Sequence, residues 1–207
     1  MFPLQTVLYP GMPLPLHIFE ERYRLMIGEC LEHDAPFGVT LIKKGVEVGG
    51  PAKPFDVGTS ARIVQVSRRE DGRMDLMAQG VHRFRILETL TDMPYLRGRV
   101  EYLDEPSGDQ PEVFGPLVRS AFRDNVRLAS GLRNEWVRDV DLPQEPGALS
   151  YAVAYLLNAP RSFKQMLLEA ATTHARLEHE LRLLTHQNLS LRRRLEGQSP
   201  FFGATLN

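Results

Sequence analysis

The sequence predicts an α+β protein, an N-terminal β-barrel carrying one helix followed by an α-helical bundle that ends in a long helix. Three observations carry this. Short apolar runs separated by turn residues recur about every ten residues as far as Leu103. The segment DEPSGD, Asp104 to Asp109, extends neither a strand nor a helix period. Beyond it only helical spacing returns, which places a barrel subdomain at residues 1–104 and a helical subdomain at 105–207.

Phe2 to Leu8 reads as the first strand, ended by Pro10 and Gly11. Val7 to Arg24, VLYPGMPLPLHIFEERYR, then changes period. Its first half cannot be an interior helix, because each proline lacks a backbone donor and fixes φ. In its second half Ile18, Phe19, Tyr23, Met26, Ile27, Cys30 and Leu31 recur at helical spacing, which predicts an amphipathic helix from Ile18 to about Glu32. Pro36 follows its end, and Phe37 to Ile42 is an apolar strand. Lys43 to Phe55, rich in Gly and Pro, predicts a loop or short hairpin.

From Val57 the pattern is a β-meander. Ala61, Ile63, Val64 and Val66 lead to Asp71-Gly72, a pair suited to a type I′ hairpin turn, and Met74, Leu76 and Met77 follow. Gly80 predicts a bulge or bend, after which Val81, Phe84, Ile86 and Leu87 resume, and Tyr95 to Leu103 is the last strand. Several such strands favour a barrel that closes its own edges.

In the helical part Asp109 with Glu112 predicts a capping box and Gly131 a helix end. Trp136 lies in a connection, Ala148 to Leu157 is a helix ended by Asn158 and Pro160, and Ser162 with Gln165 predicts a second capping box. Thr172 and Thr173 mark a re-cap before a helix of about His174 to Leu195. There Leu177, Leu181, Leu184, Asn188, Leu191 and Leu195 step by 4, 3, 4, 3 and 4. Such a seam serves self-association through the C-terminal helix, with a polar residue setting register, or packing on the preceding helices.

Composition narrows the function. At 207 residues and 43% hydrophobic the chain can bury a core. A net charge of -1 disfavours nucleic acid as a partner. The lone Cys30 excludes an internal disulfide, and its place on the apolar helix face is that of a small buried hydrophobe. No run approaches a membrane span and the N-terminus lacks a signal-peptide pattern, so the expected setting is cytoplasmic.

Chemistry is sparsely signalled. No G-x-x-x-x-G-K-[ST] occurs, so the module is expected to be ATP-independent. His17, with Glu20 and Glu21 at helical spacing, either caps the first helix or forms the one nameable hydrolytic constellation. His174, His179 and His186 are not four apart as paired helical metal ligands usually are, and Arg192 to Arg194 reads as a solvated face. No catalytic residue, metal or cofactor is expected.

The motif PGMPLPLHIFEERY, followed by FGVTLI, EVGG, VGTSARI, DGR and GVHRFRI, resembles the N-terminal domain family of Lon protease. KQMLLE and RLEHELRLL resemble that family's helical end. The resemblance implies a PUA-like pseudo-β-barrel and a substrate-recognition role, and suggests a stand-alone member, since SPFFGATLN stands where the protease continues into its ATPase and peptidase. It implies a partner that is an unfolded or specific client protein or peptide, held without catalysis, with the chain as an adaptor. Met12, Pro13, Leu14 and Pro15, with Phe19 or Tyr23 beneath, are the candidate peptide-binding residues. The alternative is an RNA-binding PUA-like protein.

Overall fold

The computed structural model describes residues 1–49, 52–136 and 140–198. The chain divides into two compact units. The first is Met1–Glu105 with Ala154–Ala170; the second is Pro106–Val153 with the chain from Ala171 onward.

The first unit holds strands β1 (Phe2–Leu4), β2 (Pro13–Ile18), β3 (Phe37–Gly45), β4 (Ala52–Arg68), β5 (Met74–Leu90) and β6 (Arg97–Tyr102), with helix α1 (Glu21–Glu32) between β2 and β3. They form a 6-stranded sheet in the order β1-β3-β4-β5-β2, with β6 also on β5. β1 lies parallel to β3, and the other pairs are antiparallel. β5 has three neighbours: besides β4, Met74 to Gln79 pairs with β2, and Phe84 to Leu90 with β6. Between them the register against β4 shifts near Gly80, the predicted bulge. Met74, Leu76 and Ala78 point inward with Leu14, Ile18, Tyr23, Met26, Ile27 and Val39, so the sheet and α1 share one core.

The same unit contains α4 (Arg161–Glu169). Gln165 donates to the Val57 carbonyl at 3.0 Å, and the Lys164 carbonyl accepts from the Tyr9 hydroxyl at 2.8 Å. Gln165 is thus spent on the sheet and on Glu169, and the expected capping box with Ser162 does not form; Pro160 is the N-cap, with no side-chain bond.

In the second unit α2 (Pro111–Arg133) packs with α5 (Thr173–Gln198), and α3 (Pro146–Leu156) contributes its first residues. Gln110, at φ +50, starts α2 in place of Asp109, with Pro111 in the first turn, where its missing N–H costs nothing. The helix passes Gly131 and ends on Asn134, at φ +54, the residue that best replaces glycine in a left-handed cap. Glu145 caps α3, accepting from the Gly147 and Ala148 amides at 2.7 and 2.6 Å. The predicted re-cap before α5 forms, with Thr172 Oγ1 accepting from the Ala175 amide at 3.0 Å.

The α5 seam meets α2 of the same chain. Leu177 and Leu184 are buried, Asn188 donates to the Ala121 carbonyl at 2.8 Å and accepts from Asn125 at 2.9 Å, and a Cβ on Gly131 would lie 3.6 Å from Leu195. Leu181, Leu191 and Leu195 are half-buried. Leu189, outside the seam, is the exposed leucine of this helix.

Candidate peptide-binding surface on β2 and β5

The predicted strand and helix at the N-terminus are redistributed. β1 covers only Phe2–Leu4, and the turn falls at Pro10 and Gly11, where Gly11 takes φ +78. Pro13 to Ile18 is strand β2, in keeping with the exclusion of a helix from the proline-rich half, while the helix expected from Ile18 begins only at Glu21. Pairing decides this, because Ile18 lies opposite Met74 and buries its side chain as a strand residue.

Register explains how two prolines fit in a sheet. The Gly80 amide donates to the Met12 carbonyl at 3.0 Å, so the alternation of an antiparallel ladder turns the backbone of Leu14, Leu16 and Ile18 toward β5. Pro13, Pro15 and His17 therefore face their backbone away from β5. The two missing N–H groups lie on the outer edge, where they remove donors that another strand would use.

The candidate residues separate by the same alternation. Pro13 and Pro15 are exposed, Leu14 is buried, and Met12 is half-buried against the core. Phe19, freed from the helix, is 45% exposed. Tyr23 is buried, its ring centroid 4.1 Å from that of Phe2 and the Arg22 guanidinium 4.5 Å above it. The surface at this place is thus Pro13, Pro15 and Phe19, with Leu14 and Tyr23 beneath.

Met77, opposite Pro15 on β5, adds an exposed apolar side chain that sequence reasoning left out of the site. The signal was present: with Met74, Leu76 and Ala78 inside, Met77 must point out. Val64, at a register shift in β4, is exposed as well.

A polar cluster borders this strip. His17 Nδ1 lies 2.6 Å from Asp75 Oδ1, directly across the strand pair, so that His17 takes up neither alternative, the cap of α1, whose N-cap is Glu20, nor a pairing with Glu20 or Glu21. Arg69 donates to Asp75 Oδ2 from Nε and Nη2 at 2.9 and 2.8 Å. The hydrogen bond with His17, then those from Arg69, hold the Asp75 carboxyl below its ordinary value. The His17 and Phe19 rings stack at 5.9 Å. The hairpin between β4 and β5 is closed by the Gly72 amide on the Arg69 carbonyl at 3.0 Å. Of the predicted Asp71-Gly72 pair only Gly72 has positive φ, so the turn is not type I′.

Elsewhere, Cys30 packs against the core half-buried, with burial pushing its thiol up. His174 sets its ring edge-on to Phe114 at 4.6 Å, and Arg192 pairs with Asp124 at 3.7 Å. Among the described residues no group of three His, Cys, Asp or Glu is placed to hold a metal, and no helix is long and apolar enough to cross a membrane.

Comparison with solved structures gives the class: this is the α+β fold of a Lon N-terminal domain, a PUA-like pseudo-barrel followed by helices that end in a long one. The Lon N-terminal domain protein of Xanthomonas campestris matches with a TM-score of 0.63 at 25% identity, over 87% of this chain and 95% of that one. The N-terminal domain of Mycobacterium avium complex Lon protease matches at 0.62 and 19% identity, over 90% and 96%. The chain belongs to the ATP-dependent protease La (LON) substrate-binding domain family, whose model matches residues 1–186. The Lon protease of Syntrophus aciditrophicus is 28% identical over 88% of this chain and 24% of its own length, and that of Paraburkholderia phytofirmans 31% identical over 85% and 22%. The chain therefore spans about a quarter of the length of these relatives. The RNA-binding alternative finds no support in these likenesses.

Proposed function

We propose that this chain is a non-catalytic recognition module that holds unfolded or specific client proteins and acts as an adaptor. The observation that carries the reading is the match of a substrate-binding domain across residues 1–186. The exposed side chains of Pro13, Pro15, Phe19 and Met77 support it, being apolar and grouped on neighbouring strands and the residue that follows them. With two donors missing from the edge of β2, recognition there runs through side chains and not through an added strand.

A titration with a permanently unfolded protein, reduced and carboxymethylated lactalbumin, tests the reading. The wild-type chain should bind it, and Phe19→Glu with Met77→Glu should weaken binding at least tenfold, as loss of an aromatic anchor does. Absence of binding by the wild type overturns the reading.

A further inference from the structure

The solvent side of α1 and the tip of the β4–β5 hairpin enclose a groove that the fold leaves empty. A cavity of about 810 Å³ at the hairpin end and one of about 490 Å³ toward the end of α1 share Arg24, Leu25, Gly28 and Arg68 as walls. Gly28 lies in the interior of α1, where glycine is less favourable than alanine. Its φ is not positive, and a Cβ built on it would meet nothing within 4 Å. Neither backbone conformation nor packing within the chain calls for glycine there; the missing side chain keeps the groove open. Leu25, 44% exposed, and Met74 and Pro94 supply apolar walls.

Charge is graded along the groove. At the hairpin end Glu21 lines the wall beside four arginines, of which Arg22 and Arg69 are held by Glu20 and Asp75 at 2.9 and 2.8 Å. Arg24 is barely used: Nη1 donates to the Asp71 carbonyl at 3.4 Å, and its buried Nε has no partner among the described residues. Arg68 is exposed and makes no ion pair among the described residues. At the other end stand Glu29, which accepts from Tyr95, and Glu32, which makes no ion pair among the described residues. A polyanion would be repelled at that end; a segment with an acid at one end and a base at the other matches both. Arg24 and Glu32 are about 12 Å apart along the helix at 1.5 Å per residue. An extended chain rises about 3.3 Å per residue and turns alternate side chains to one face, so it covers that span in roughly four residues.

We propose that this groove binds an extended client segment of the pattern acid-Xaa-apolar-Xaa-base, its carboxylate on Arg24 and Arg68, its apolar side chain over Gly28 beside Leu25, and its cation at Glu32. The proposal rests on the recognition reading above and names the segment recognised.

Fluorescence anisotropy with a labelled peptide containing Glu-Thr-Leu-Thr-Lys tests it, beside its Lys-Thr-Leu-Thr-Lys counterpart, an oligo-dT of matched length and the unfolded lactalbumin. Wild type should prefer the first peptide to the second at least tenfold. Gly28→Phe should lose at least tenfold while keeping its circular dichroism and melting transition, and Arg68→Glu should shift preference toward the lysine-lysine peptide. Unchanged binding by Gly28→Phe, tighter binding of the oligonucleotide, or no binding of the first peptide overturns the groove. If lactalbumin still binds in that case, only the groove fails; if wild type does not bind lactalbumin, the recognition reading fails with the peptide result read separately.

Discussion

The Tyr9 carbonyl oxygen occupies the place where a side chain of residue 80 would begin: a Cβ on Gly80 would lie 2.2 Å from it. The Gly11 amide donates to the Gly80 carbonyl at 2.8 Å and the Gly80 amide to Met12, so the Pro10-Gly11 turn is docked on the bulge of β5. This contact aligns β2 and sets which of its residues face outward. Gly80→Ala should therefore destabilise the protein by about 3 kcal/mol, the upper part of the range for forced overpacking. A urea-unfolding midpoint equal to that of wild type would contradict this.

Gly28 is the converse case. Nothing crowds its missing Cβ, and α1 continues through it. Gly28→Ala should stabilise the fold by about 0.5–1 kcal/mol through helix propensity alone. A loss of stability in the same urea experiment would mean that the space over Gly28 is not free.

Arg83 is a buried charge satisfied from four sides. Nε donates to Glu105 at 2.6 Å, Nη1 to the Leu168 and Ala170 carbonyls at 2.8 and 2.7 Å, and Nη2 to the Asp104 carbonyl at 3.0 Å. It fastens β5 to the end of α4, whose carbonyls favour a cation. Arg83→Met should cost about 3 kcal/mol by leaving those carbonyls unpaired. Arg83→Lys should recover little of it, because a single ammonium lacks the planar fork. Full recovery by lysine, read from thermal unfolding, would contradict the assigned role.

Tyr95 gives a pH signature. Burial first, then its hydrogen bond to Glu29 at 2.5 Å, push its phenol up to about 12. The unfolded chain releases that proton near its ordinary value of about 10. Between those values the folded state holds more protons, so the phenol's stabilising contribution is complete below about pH 10 and is lost as pH rises toward 12. Unfolding of wild type against Tyr95→Phe should show the difference shrinking over that window; a pH-independent difference would contradict the shift.

Much of the fold was legible in order and period. Met74, Leu76 and Ala78 alternate as a half-buried strand must, and Gly80 marked its bulge before any partner was visible. What failed was whatever depended on a distant partner. Ile18 fits both the period of Leu14 and Leu16 and that of Met26 and Ile27, and only pairing with Met74 assigns it to a strand. Arg83 is buried while Val81 and Leu87 are exposed, the reverse of the order hydrophobicity predicts, because carbonyls from other segments satisfy the guanidinium. Asn134 ended α2 although Gly131 offered the stronger local signal. The heptad steps of α5 were real, but the same steps serve α2. At the candidate site Pro13 and Pro15 were visible, while their outward edge depends on register parity and the exposure of Phe19 on where α1 starts.

Client recognition is proposed here for the first unit. Hydrogen exchange with and without saturating unfolded lactalbumin tests it most directly, by reporting backbone protection along the whole chain. Protection should be confined to the first unit, over Met12 to Glu32 and the β4–β5 hairpin around Arg68 to Met77. Binding with protection only in α2 and α5, or no protection across a broad set of unfolded clients, would contradict it.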